Sequence, residues 1–163
     1  MLEGFKKLIN WFKMDKKLQV LLKQARGSGL LALTNQKLKE IPNEVFDFSN
    51  LVLEDQKWWE LNPLTKIDLS YNLIEFIPNS LSNEKDLQVI RLSHNKISNM
   101  QEDCLKDLNV LKSLDLKENQ ISVQETQLAL QKTWKNIRVI EAANNQSFSK
   151  IWELTWFRAA AAV

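Results

Sequence analysis

"LTKIDLSYNLIEFIP", residues 64–78, decides how the chain folds. Its apolar positions are Leu64, Ile67, Leu69, Ile74 and Ile77, with Asn72 between them. A helix face recurs every three or four residues and a half-buried strand every two. This spacing fits neither, but it repeats. "LQVIRLSHNKI" at 87–97 and "LKSLDLKENQI" at 111–121 carry the same pattern, L-x-x-L-x-L-x-x-N-x-L. Weaker copies lie at either end. In "SGLLALTNQKLKEIP" Gln36 takes the Asn place; in "IRVIEAANNQSF" Asn145 takes it and Ala142 replaces a leucine. From Asn72 onward the polar positions are 23, 24 and 26 residues apart. A period of that length marks a stacked repeat, in which no unit can bury its apolar side alone.

These copies resemble the leucine-rich-repeat family over about residues 28–150. The opening "ARGSGLLALTNQKLKEIP", followed by Trp58-Trp59-Glu60 and "LTKIDLSYN", is similar to the N-terminal part of a group of intracellular members. The resemblance implies an α/β repeat fold: a solenoid of about five repeats, a parallel β-sheet on the concave side, helices or irregular turns on the convex side, and helical N- and C-terminal caps. Each L-x-L pair would be a short strand sending two side chains inward. The Asn lies where the chain leaves the strand, and its amide can satisfy backbone groups the turn would otherwise bury unpaired. A structural ladder of Gln36, Asn72, Asn95, Asn119 and Asn145 is expected, with no ligand role.

The 163 residues suit one domain with a continuous core. A net charge of +2 gives no global case for nucleic-acid binding. The distribution is uneven: residues 1–26 carry seven Lys/Arg against Glu3 and Asp15. Cys104 is the only cysteine, so neither an internal disulfide nor a cysteine-based zinc cluster is available, and a reducing compartment is expected. No apolar run reaches membrane-spanning length. "MLEGFKKLINWF" is too interrupted by lysine for a secretory leader and is a poor transit peptide. With three glycines in the chain, no glycine-rich phosphate loop exists.

Residues 1–27 read as a basic amphipathic N-terminal helix or pair of helices. Leu2, Phe5, Leu8, Ile9 and Phe12 share one face; Met14, Leu18, Leu21, Leu22 and Ala25 share a nearly opposite one. The second stripe should cap the first strand, with Gly27 and Gly29 ending the helix. The solenoid is expected over 28–148, with a Trp-containing insertion at 43–63 that makes the step from Gln36 to Asn72 36 residues long. Residues 123–136 read as a convex-side helix, and 149–163 as a C-terminal capping helix. The alanine run at 159–162 is foreign to this composition and raises the expectation that the natural chain continues past Arg158.

The residues between the inward leucines form columns on the concave face. One is Ala32, Asp68, Arg91, Asp115 and Glu141; the next is Thr34, Ser70, Ser93, Lys117 and Ala143; beside the Asn stand Asn35, Tyr71, His94, Glu118 and Asn144. Lys66, Val89, Ser113 and Val139 flank the strand starts. With strands about 4.8 Å apart, Asp68, Arg91 and Asp115 should alternate as a charge ladder. The candidate protein-binding residues there are Lys66, Asp68, Tyr71, Arg91, His94, Asp115, Lys117 and Glu118. Tyr and Arg are common interface anchors. His94 beside Ser93 or Ser70 and Asp68 or Asp115 invites a catalytic reading. A flat sheet with no oxyanion pocket and no buried orienter argues against it.

A second candidate surface comprises Trp58 and Trp59 of the insertion and Phe5, Ile9 and Phe12 of the first helix. The basic segment 2–17 suits docking into a partner's groove; contact with an anionic membrane surface and packing over the cap are the competing readings. The chain is thus expected to be a non-enzymatic interaction module without cofactor or metal. It would be a cytoplasmic scaffold or accessory subunit of a larger assembly, cytoskeletal, axonemal or ciliary by family analogy. The alternatives are a ribonucleoprotein subunit holding an RNA-binding partner, with nucleic acid touched only by 1–26, and a regulatory subunit of an enzyme such as a phosphatase.

Overall fold

The computed structural model describes residues 15–50 (side chains 15–46), 62–101, 103–122, 137, 139–142 and 145. The readings for the first fourteen residues, for Trp58 and Trp59, for 123–136 and for 149–163 lie outside the described residues.

Helix α1 spans Lys16–Ser28. Asp15 caps its N-terminus by accepting a hydrogen bond from the Lys17 N–H at 3.2 Å. Its stripe of Leu18, Leu21, Leu22 and Ala25 turns towards the core, with Leu22 and Ala25 fully buried. The helix passes through Gly27 and stops at Gly29, whose φ of 71° is left-handed and whose N–H reaches Ala25 O at 2.7 Å. So α1 covers the first strand. It also carries Arg26 into the interior opposite the buried Glu84. Burial pulls the guanidinium pKa down, and the Glu84 carboxylate opposes that shift.

The strands that follow are β1 (Leu30–Ala32), β2 (Lys66–Asp68), β3 (Phe76–Ile77), β4 (Val89–Arg91), β5 (Asn99–Met100), β6 (Ser113–Asp115) and β7 (Val139–Glu141). They form a parallel five-stranded sheet in the order β1-β2-β4-β6-β7, and β3 pairs with β5 in a small second sheet. Register follows the repeat alignment: Leu31, Ile67, Ile90, Leu114 and Ile140 lie side by side. Each principal strand is three residues long, so its central side chain points in and the two flanking ones point out.

Inward positions stack into layers within one core. Leu64, Leu87 and Leu111 form one layer; Leu69, Leu92 and Leu116 another; Ile74, Ile97 and Ile121 a third; all nine are fully buried. The far side of the core is closed by short 3-10 segments, Asn43–Asn50 and Asn79–Asn83. The 23-residue step that holds Asn79–Asn83 leaves room for fewer than two turns there, while the 36-residue step from Gln36 to Asn72 holds the longer Asn43–Asn50. Asn79 and Gln101 stitch adjacent repeats on that side: the Asn79 N–H donates to Gln101 Oε1 at 2.6 Å, and Asp103 N–H to Asn79 Oδ1 at 3.1 Å.

Cys104 sits fully buried in this core. Loss of solvation pushes its thiol up from 9.0 to about 12, with Asp103 adding to the rise and a backbone hydrogen bond opposing it. The folded chain therefore keeps a proton that the unfolded chain releases, so stability falls as pH climbs above about 9, by at most roughly 1.4 kcal/mol per pH unit. Urea titrations between pH 8 and 11 should show that slope, and Cys104→Ala should remove it. At pH 8 an aromatic disulfide reagent should leave the native thiol untouched and label it only on unfolding.

Candidate protein-binding face

The ladder amides set the geometry of this face. Asn95 Oδ1 accepts from Ile74 N–H at 3.1 Å, while its Nδ2 donates to Leu69 O and Leu92 O at 3.0 Å each and to Ser93 O at 3.3 Å. Asn119 does the same one repeat later, accepting from Ile97 N–H and donating to Leu92 O, Leu116 O and Lys117 O. Asn72 accepts from both Gln36 N–H and Leu38 N–H. Gln36 stands in the first repeat, and its Nε2 donates to Thr34 O at 2.8 Å, within its own turn.

This turn forces a left-handed residue immediately before Gln36, Asn72, Asn95 and Asn119. Asn35, Tyr71, His94 and Glu118 have φ of 54°, 60°, 54° and 54°. Such a backbone is costly for a side-chain-bearing residue and persists only where the surroundings over-determine it. Here the over-determination comes from the amide and from backbone bonds between neighbouring turns: Tyr71 N–H to Ser93 O at 3.0 Å and His94 N–H to Lys117 O at 2.9 Å. Fixed in this way, the Tyr71 and His94 rings stack with centroids 4.3 Å apart and planes 11° from parallel. Tyr71 remains 59% exposed.

Beneath this stack the expected column of outward Thr34, Ser70, Ser93 and Lys117 needs correction. Ser70 and Ser93 are buried, and Ser93 Oγ donates to Ser70 Oγ at 3.2 Å. The chain turns inward after Leu69 and Leu92, so these positions lie under the turn. Small hydroxyls suit such a place because they can satisfy each other.

Asp68 and Asp115 each spend one carboxylate oxygen on their own turn, accepting from the N–H two residues on, Ser70 and Lys117, at 3.1 Å. The second oxygen of Asp68 meets Arg91 Nη1 at 3.5 Å across the strands. Lys117 pairs with Glu141, whose hydrogen bond raises the lysine's pKa. Lys66 is half-buried in the row Leu30, Lys66, Val89, Ser113 and Val139. Leu30 and Val139, at the two ends of that row, are 52% and 46% exposed. Leu30, absent from the expected row of Lys66, Val89, Ser113 and Val139, and Phe76 on β3, outside the expected columns, are exposed as well. The face thus combines an exposed aromatic stack, the Asp68–Arg91 ion pair beside it, the Lys117–Glu141 pair further along, and apolar ends. Among the described residues no group of three or more His, Cys, Asp or Glu side chains is placed to hold a metal.

Family models agree with this architecture. A leucine-rich-repeat model matches residues 85–127, and a second matches 63–83. The chain carries leucine-rich repeats. Among curated proteins it is 37% identical over 93 residues to the leucine-rich repeat-containing G-protein coupled receptor 5 of Rattus norvegicus, covering 57% of this chain and 9% of the receptor. It is 29% identical over 87 residues to an adenylate cyclase of Neurospora crassa, covering 53% of this chain and 4% of the cyclase. The chain therefore spans less than a tenth of either relative. Two solved structures share the fold. A chain of the Drosophila melanogaster SNF/U2A′ complex matches with a TM-score of 0.55 and 20% identity, over 71% of this chain and 58% of that one. A leucine-rich-repeat protein of Leptospira interrogans matches at 0.53 and 22%, over 81% and 35%. Leucine-rich repeats are protein-interaction modules. Among the described residues no helix is long and apolar enough to cross a membrane.

Proposed function

We propose that this chain is a non-enzymatic interaction module whose sheet face receives a partner protein, with Tyr71, Arg91 and His94 as anchors. The observation that carries this reading is the exposed Tyr71–His94 stack, at 4.3 Å, on left-handed backbone tied by hydrogen bonds to the neighbouring turns. A rigid aromatic pair loses little entropy on binding. Lys66, Asp68, Asp115, Lys117 and Glu118 complete the face as its polar rim. Trp58, Trp59, Phe5, Ile9 and Phe12 make the second proposed contact, through the insertion and the basic first segment. The role that follows is a cytoplasmic scaffold or accessory subunit of a larger assembly, with a cytoskeletal or axonemal setting resting on family analogy.

Native pull-down with crosslinking mass spectrometry tests this. Crosslinks from Lys66 or Lys117 to another chain are expected, with Lys6, Lys13 and Lys57 reporting the second contact. Once the partner is captured, the triple variant Tyr71→Ala, Arg91→Ala, His94→Ala should bind it about 100-fold more weakly. Unchanged affinity in a folded triple variant would rule out the sheet face.

The second reading is a ribonucleoprotein subunit. It is favoured by the likeness to a chain of the SNF/U2A′ complex together with the seven Lys/Arg of residues 1–26. Direct RNA contact by that segment predicts binding that weakens steeply with salt. A shallow dependence leaves protein contact as the sole mode.

A further inference from the structure

The last rung of the ladder departs from the others in sequence. Two residues after the ladder amide, the central repeats place Ile74, Ile97 and Ile121, all fully buried. The last places Ser147. Asn145-Gln146-Ser147 is thereby an Asn-x-Ser acceptor for N-linked glycosylation, and it is the only such tripeptide in the sequence. The same amide already has a structural task. Asn145 Nδ2 donates to Leu116 O at 2.8 Å and to Ala142 O at 3.0 Å, and Oδ1 accepts from Ile121 N–H at 3.2 Å. Both amide hydrogens are in use.

We infer that Asn145 can be glycosylated or can close the ladder, but not both, so the chain reaches its native state only in a compartment without N-glycosylation. In the transfer, Nδ2 attacks the anomeric carbon of a lipid-diphosphate-linked oligosaccharide. A C–N bond forms, the C–O bond to the diphosphate breaks, the lipid diphosphate leaves, and one Nδ2 proton passes to a base of the transferase. The product is a secondary amide with one hydrogen left. It can serve the Leu116 or the Ala142 carbonyl, while the sugar ring takes the place of the other contact. An amide bonded as Asn145 is cannot attack, so transfer must precede folding of this repeat, and the glycan then blocks it. The inference stands apart from the choice of partner for the sheet face. It supplies a positive argument for a cytosolic or nuclear chain, drawn from one side chain.

Cell-free translation of the full chain behind a cleavable secretory leader, with microsomes present, tests it. The readouts are the gel shift removed by an endoglycosidase and protease resistance after detergent release. The wild-type chain should shift by one glycan and be cut at protease levels that spare unshifted Ser147→Ala, which keeps the ladder amide and lacks the acceptor. A shifted chain as resistant as Ser147→Ala overturns the inference. So does a wild-type chain that enters the microsomes and does not shift. A Ser147→Ala chain as sensitive as the glycosylated one also overturns it, because the defect then has another origin.

Discussion

Replacing Asn95 with alanine is expected to lower the unfolding free energy by about 3 kcal/mol, which is large for a truncation of one polar side chain. The amide meets two adjacent repeats at once. Its Oδ1 takes the Ile74 N–H, and its Nδ2 reaches carbonyls of Leu69 in one repeat and of Leu92 and Ser93 in the next. Those carbonyls keep other donors: Leu69 O has Asn72, Leu92 O has Asn119, and Ser93 O has Tyr71. The Ile74 N–H, beside a fully buried side chain, loses the partner this amide supplies. The cost is therefore concentrated on one stranded donor plus a small void. Asn119→Ala should match it, and Asn145→Ala, at the half-buried end, should cost clearly less. Asn95→Asp is the discriminating variant. It keeps the acceptor but turns a charged oxygen towards carbonyls, which favours the neutral acid. Its folded-state pKa is then raised above the unfolded value, so the loss of stability should be full at neutral pH and shrink as pH falls towards 4. Urea titrations at pH 7 and pH 4 measure both.

How far the sequence carries depends on whether a feature repeats. Ile67, Ile90 and Leu114 announce themselves because a stacked core needs the same volume at the same place in each unit, and the register places them side by side. The ladder is legible for the same reason. The left-handed backbone at Tyr71, His94 and Glu118 was not. Tyrosine and glutamate have no preference for it, and the constraint comes from the neighbouring turn. The burial of Ser70 and Ser93 was likewise invisible, because period-two reasoning continues a strand past the point where the chain bends inward. Their chemistry offered a hint: small hydroxyls recur at that position in the two most regular repeats. The dual duty of Asp68, split between its own turn and Arg91, follows from a side chain with two acceptors at a strand end. Pattern shows only that it faces out. So the scaffold was readable and the fine structure of the proposed binding face was not. That face is shaped by contacts between repeats, which the spacing within one repeat does not encode.

Two glycines two residues apart should respond to alanine with opposite signs. Gly27 lies inside the last turn of α1 with nothing within 4 Å of an added Cβ, so Gly27→Ala should stabilise by about 0.5–1 kcal/mol through helix propensity. Gly29 is different on two counts. Its φ of 71° costs an L-residue about 1–2 kcal/mol, and an added Cβ would stand 2.8 Å from Pro63 O and 3.3 Å from Thr65 Oγ1. Pro63 belongs to the backbone, so relief requires the chain to move. That movement strains the bonds by which the strand after the insertion is tied to α1: Thr65 N–H and Oγ1 to Gly29 O at 2.8 and 3.0 Å, and Asn62 N–H and Nδ2 to Arg26 O and Gly27 O at 2.9 and 2.7 Å. Gly29→Ala should therefore destabilise by about 3 kcal/mol or more. Gly29→Asn separates the two causes. Asparagine tolerates the left-handed region but still carries a Cβ. If steric approach dominates, it will be as damaging as alanine; if backbone conformation dominates, much of the loss will be recovered. Either way the first effect should be loosening of α1 from β1, which uncovers Leu22, Ala25 and Leu31. Hydrogen exchange across 16–32 should rise in Gly29→Ala before the central repeats at 64–121 respond. The cap can give way first because β1, at the edge of the described sheet, pairs with β2 alone, whereas the strands of Ile67 and Ile90 are paired on both sides.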